Sequence, residues 1–304
     1  MTDAARSLVV VADDGGVDAP RDEGILEAVD GGMVRAVALL AQGPHAERLA
    51  ADLRRRPGVD AVLHLNLTFG APLAGPAPTL TGRDGRFLRS KRAFWARAAA
   101  GRVDAGEVLR EAAAQMALLR EWGLRPVGVN GHNHVHLLPG VRDGVARLLA
   151  AEPGEPWVRV PAEAPPPPGT PPVCEPAMPC DEKDLDAPAR ALRTAGHPAL
   201  AALRALAASV VHRLPGRVRF ADAFLGCAFA CSGSAEVLEH GLRAAEGPVV
   251  ELMVHPGRRA PRSVPFSRDP RREVEREVLL SARLRDAVAA AGLTPRPFSA
   301  VPPA

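Results

Sequence analysis

Aromatic residues make up only 4% of this 304-residue chain, and its 38 basic side chains are nearly matched by 35 acidic ones, for a formal charge of +3. Few stacking platforms, and arginines scattered among alanines on helical faces, argue against a nucleic-acid partner. No apolar run approaches the roughly 18 residues of a membrane span. The first apolar stretch, residues 7–12, ends in two acids and is too short for the core of a signal peptide. These absences predict a cytoplasmic protein. The four cysteines, Cys174, Cys180, Cys227 and Cys231, form neither a CxxC pair nor a dense framework, so buried thiols are expected.

What is present is a 47% hydrophobic content, ample for a core, in a chain long enough for one large α/β barrel. Residues 7–12 (SLVVVA) predict a buried strand by their β-branched run. Residues 20–29 predict a helix with Ile25, Ala28 and Val29 on one face, stopping at Gly31-Gly32. A strand over 34–40, a helix over 44–56 and a strand beginning at Ala61 and carrying His64 follow. The clearest helix is 104–122, with Val108, Ala112, Met116 and Leu119 on one stripe and Gly123 capping it. Further strands are predicted at 126–129, 157–160, 218–225 and 249–254. Further helices fall at 141–151, 188–212 (broken near Pro198), 235–245 and 271–291. Such alternation implies a parallel sheet, closed or open, whose strand carboxyl ends share one face. Two segments rich in Pro, about 71–102 and 164–182, interrupt it as irregular insertions, either disordered or lids over a cleft. The expectation is a single α/β domain over residues 1–304.

Of nine histidines, a third fall in Gly131-His132-Asn133-His134-Val135-His136. In an extended chain, side chains two apart share a face, so the three rings could converge on one point, as a metal site requires. A polar surface loop is the alternative. Asp13-Asp14 likewise follows an apolar run, as do His64 and His255-Pro256-Gly257. Adjacent acids at a strand end can divide the work, one binding metal and the other staying free as a base, whereas a turn or capping Asp is the blander reading.

Taken in order, VVVADDGG, HLNLTFGAP, NGHNHVHLLPGV and ELMVHPG resemble the YdjC-like carbohydrate deacetylases. RDEGILEAV, Glu111 and Gln115 on the long helix, VRVP at 158–161 and ADAFLG at 221–226 add to the likeness, which thins over the insertions and the last dozen residues. The resemblance implies a distorted (β/α) TIM-like barrel with one divalent metal, Zn or Mg, on Asp14, His64 and His132. Periodicity alone does not choose among His132, His134 and His136. By the same resemblance Asp13 is the general base and His255 the general acid. Arg159 and Asp222, both at predicted strand ends, are candidates for holding Asp13 or binding sugar hydroxyls, against surface ion pairing. Two positions depart from the family's pattern. Gly15 stands where Phe is usual and is expected to loosen the turn; Asn130 stands where Asp is usual and removes a charge near the ligands.

The implied activity is removal of an N-acetyl group from an amino sugar, oligosaccharide or glycosylated small molecule. A different metal-dependent barrel hydrolase such as a phosphoesterase, or a catalytically weakened sugar-binding relative, are the alternatives. A homo-oligomer is compatible with the sequence, which does not specify one.

Overall fold

β-Branched runs at the start and near the end of the chain meet as neighbouring parallel strands. In the computed structural model, which describes residues 6–88, 90–164, 198–260 and 267–303, β1 (Arg6–Gly15) pairs along its length with β7 (Val249–Val254). On its other edge lies β2 (Ala36–Leu39), followed outward by β3 (Asp60–Leu65), β4 (Gly128–Gly131) and β5 (Trp157–Val158). β6 (Ala223–Leu225) flanks β7, and β8 (Leu293–Pro295) pairs with the foot of β1, giving an eight-stranded sheet with every pairing parallel. A single parallel bridge from Trp157 to Arg219 joins the β5 edge to the chain just ahead of β6, so the curled sheet meets itself. This is the expected barrel-like α/β architecture.

The crossovers are α1 (Ala19–Asp30), α2 (Ala46–Leu53), α3 (Lys91–Ala99), α4 (Ala105–Glu121), α5 (Val141–Ala151), α6 (Pro198–Val211), α7 (Cys227–Ser232), α8 (Ala235–Ala244), α9 (Arg271–Leu280) and α10 (Ala282–Ala290). Local chemistry sets their starts. Asp18 accepts from the Arg21 N–H at 2.9 Å to open α1, and Asp104 accepts from the Glu107 N–H at 2.8 Å to open α4. Among the described residues no helix is long and apolar enough to cross a membrane.

Period-two alternation divides β1, β2 and β3 between two cores. Val9 and Val11, Ala36 and Ala38, Val62, Trp157 and Val249 form a cluster plugged by Phe298 and Val301. Leu8, Val10 and Ala12, with Val37, Leu39, Leu63, Val250 and Leu252, belong to the larger cluster that takes in the helices. Full burial of one Val or Leu is worth roughly 1.5–3 kcal/mol, and Leu8 to Val11 are all at most 1% exposed. The same alternation carries the Val9/Val11 row on to Asp13 at the carboxyl end.

Three expectations change, and one lies outside the described residues. The 71–102 insertion is built rather than irregular: Thr81 bridges Phe87, and Ser90 caps α3. The 164–182 insertion lies outside the described residues apart from Ala164, as does the 188–197 part of the predicted helix. The last predicted helix divides at Ser281, whose extended backbone ends α9 and whose side chain accepts from the Leu284 N–H to start α10. Finally, the histidine cluster is not extended. His132–Leu137 is a 3-10 turn in which Asn133 and His134 both take left-handed φ of 55°. The three rings therefore do not share a face.

Candidate metal centre and active site

Parallel pairing brings the carboxyl ends of β1, β3, β4, β5 and β7 to one mouth, and with them every residue that the motifs single out except Asp222. Asp14 leaves β1 with φ of 62°, a left-handed turn that an aspartate tolerates better than most residues. Its Oδ1 lies 3.1 Å from His64 Nε2 and 2.8 Å from His132 Nδ1. One atom from each of these residues lies within 4.8 Å of the others, making a group able to hold a metal ion. Two ligands on an ion with bonds of about 2.1 Å at a tetrahedral angle sit about 3.4 Å apart, so the set fits a small divalent cation with little movement. Two imidazoles and one carboxylate also suit zinc chemically and leave a coordination position open.

Neighbouring groups fix the protonation of these ligands. Asn130, on β4, donates from Nδ2 to Asp13 Oδ1 at 3.0 Å, which leaves its Oδ1 facing His64 Nδ1 at 2.6 Å. The carboxylate can only accept, so the amide orientation is forced, and His64 Nδ1 carries the hydrogen while Nε2 turns its lone pair to the metal position. Burial opposes charge on both partners, yet His132 and His64 hold Asp14 well below the usual carboxylate range, and Asp13 and Asp14 raise His64.

Asp13 stands beside this group without joining it. Arg159, immediately after β5, reaches both of its oxygens, with Nη2 to Oδ1 at 3.0 Å and a second contact from Nη1 to Oδ2. The same guanidinium donates from Nε to Glu251 Oε1 at 2.6 Å. Burial pushes Asp13 up, but Arg159 and His64 outweigh it and bring the pKa down to about 2. Arg159 is thus committed to Asp13 and Glu251 and is 2% exposed, so it holds the acid in register rather than meeting solvent.

His255 follows β7. Its N–H donates to Glu275 Oε2 at 2.5 Å, and its carbonyl accepts from Arg21 and Arg272, each at 3.4 Å. Both backbone groups are therefore clamped by buried charged side chains, and burial together with Arg272 lowers the imidazole pKa. Arg21 also lies 3.7 Å from Asp14 Oδ2, linking the two sides of the mouth.

The profile of the YdjC-like protein family matches residues 7–290. The chain belongs to the YdjC-like family. Among curated proteins it is 39% identical over 264 residues to a carbohydrate deacetylase from Homo sapiens, covering 82% of this chain and 74% of that one. It is 45% identical over 161 residues to the carbohydrate deacetylase of Mus musculus, covering 51% of each. It is 33% identical over 146 residues to a chitooligosaccharide deacetylase from Serratia marcescens, covering 48% of this chain and 56% of that one. A crystal structure from Enterococcus faecalis V583 superposes with a TM-score of 0.69 at 20% identity, covering 97% of this chain and 98% of that one, which shows a shared fold.

Within this YdjC-like chain the remaining candidates separate. Asp222 sits at the amino end of β6, where its Oδ2 accepts from the Val249 N–H at 2.8 Å, and the fold does not bring it to the mouth. His136 is buried, its Nε2 donating to the Arg159 carbonyl at 3.0 Å, so it braces the arginine from behind. His134 has no such partner: its Nδ1 is sealed from solvent and unbonded. A buried unsatisfied nitrogen costs about 1–3 kcal/mol, and a left-handed residue costs roughly 1–2 kcal/mol more. Gly15 is not loose. It pairs with Leu39, and a Cβ there would meet Leu49 Cδ2 at 2.8 Å and Val37 Cγ1 at 3.1 Å.

Glu251, Glu275 and Arg21 escape a reading of the sequence alone. Glu251 left a signal, since an acid inside the apolar run VVELMV must find a buried partner, but which arginine it meets depends on how β5 and β7 close.

Proposed function

We propose that this YdjC-like protein is a metal-dependent hydrolase that removes an N-acetyl group from an amino sugar or an oligosaccharide bearing one. The observation that carries the reading is the Asp14/His64/His132 group set beside an arginine-held Asp13 that lies outside it. The names of its relatives support the substrate class. A cytoplasmic site of action is part of the same proposal, on the composition described above.

Asp14, His64 and His132 would hold the ion, zinc or magnesium. Such an ion polarises an acyl oxygen and lowers the pKa of water toward ~7. Asp13, kept ionised by Arg159, accepts the proton of the attacking water. His255 gives a proton to the departing amine, and its depressed pKa makes the imidazolium a ready donor once charged. Proton transfers of this kind contribute about 10²- to 10⁴-fold each. A phosphoesterase would normally use two metals and more carboxylates than the single one in this group.

Acetate release from a panel of N-acetylated sugars by the metal-loaded protein tests the proposal. Asp13→Asn is expected to lose at least about 10²-fold in rate with metal content unchanged, and His64→Ala to lose the metal. Parental turnover in Asp13→Asn would remove Asp13 as the base. Phosphate release in place of acetate would favour the phosphoesterase, and sugar binding without turnover a weakened relative.

A further inference from the structure

The middle histidine of the cluster is used neither by the metal group nor by the packing. His132 faces Asp14 and His136 is bonded to the Arg159 carbonyl, but neither ring nitrogen of His134 has a hydrogen-bond partner among the described residues. Its Nδ1 is sealed away while the residue as a whole is only half-buried, which leaves Nε2 as the nitrogen that can meet a ligand. The ring packs 6.2 Å from that of His136, and its charged neighbours are Arg159, Asp13 and His255. It therefore lies within electrostatic reach of the two groups assigned here as base and acid.

The backbone that presents it is unfavourable. Asn133 and His134, like Asp14, belong to the types that enter the left-handed region most readily, but here two stand in succession, where such residues ordinarily occur singly. Such geometry persists only where the surroundings impose it, and it concentrates at sites where a side chain must be aimed. A residue kept for packing would be buried and bonded through at least one ring nitrogen, as His136 is through Nε2; a surface residue would be exposed and relaxed. His134 is neither.

We propose that His134 is a substrate-binding residue, its Nε2 reserved for a hydrogen bond with the acetamido group of the sugar seated between Asp13 and His255. The identity of that group rests on the deacetylase reading, whereas the existence of a ligand contact at His134 rests on the strained turn and the unused nitrogen.

The test uses binding, so that it does not depend on turnover. Metal-loaded Asp13→Asn protein is titrated calorimetrically with N-acetylglucosamine and with glucosamine, alone and carrying His134→Ala, His134→Gln or His134→Gly. His134→Ala is expected to weaken N-acetylglucosamine about tenfold, the worth of one hydrogen bond, and to leave glucosamine and metal content unchanged. His134→Gln should recover part of the loss. His134→Gly relieves the left-handed backbone, so its melting temperature should equal or exceed the parent's while its sugar binding falls.

Unchanged N-acetylglucosamine affinity in all three variants would overturn the proposal. So would a marked drop in melting temperature in His134→Gly, which would mean that the ring is structural. If the native enzyme releases no acetate, the deacetylase reading fails by itself, and the titration still decides whether His134 binds sugar. Failure of the Asp13→Asn parent to bind N-acetylglucosamine would overturn the acetamido assignment.

Discussion

Asp22 is an acid that the fold keeps close to neutrality. It is 7% exposed, and its Oδ1 accepts from the Gly16 N–H at 2.8 Å in the turn that follows Asp14. Burial raises its pKa from the ordinary aspartate range to about 7, with the Gly16 bond opposing and the Asp18 charge adding to the rise. The folded chain therefore keeps this proton up to about pH 7, while the unfolded chain releases it near pH 4. Stability is lost as pH climbs between those values and then levels off, by up to roughly 4 kcal/mol. Asp22→Asn preserves the acceptor for Gly16 and removes the titration. Urea unfolding at pH 5 and pH 8 should show the variant more stable than the parent, with the larger gain at pH 8; an equal difference at both would contradict the assignment. Asn130 shows the complementary economy: an amide joins Asp13 to His64 with no proton to lose. Part of this residue detail was open to the sequence, since Asp14, His64 and His132 each follow or end an apolar run. Geometry could not separate the three histidines, because equal spacing hides a turn that sends each ring to different work.

At the scale of elements, the predictable parts were those whose signal is local. The β-branched run of β1 and the Asp104 cap of α4 behave as expected, because neither depends on distant chain. The failures needed longer-range information: α3 sits inside a segment rich in Pro and Gly, and β8 is three residues long and exists by pairing with β1. Gly15 shows how element packing overrides a local rule. A flexible residue beside two acids suggests a loose turn, yet α2 presses Leu49 into the space where a side chain would stand, and β2 supplies Val37 and the Ala38 carbonyl at 3.3 Å. Restoring the family's usual residue in Gly15→Phe is therefore expected to overpack this contact and destabilise the protein by about 1–3 kcal/mol or more. Adding Leu49→Ala should return part of the loss, since the two changes share one space. Urea denaturation of the two single variants and the double variant measures the coupling; strictly additive losses would show that Leu49 does not fill the site.

The whole molecule is needed to assemble the mouth, because β1, β3 and the turn after β4 each supply one of Asp14, His64 and His132. An ion bound there links three segments that lie between 50 and 118 residues apart in sequence, so it should stabilise the native state and not the unfolded chain. At a free metal concentration 100 times Kd the gain is about 2.7 kcal/mol. For a chain of 304 residues that corresponds to roughly 4 °C in melting temperature. The gain should grow with pH. Asp13 and Asp14 raise the His64 pKa above its ordinary value, so at low pH the ion competes with a bound proton, and the competition fades as pH rises through that value. Melting curves of chelator-stripped protein with zinc, magnesium, manganese or cobalt, at pH 6 and pH 8, are expected to show a larger upward shift at pH 8 for at least one ion. His64→Ala should show little shift at either pH. A stripped protein that melts at one temperature whatever ion is added would mean that Asp14, His64 and His132 do not act as a metal group.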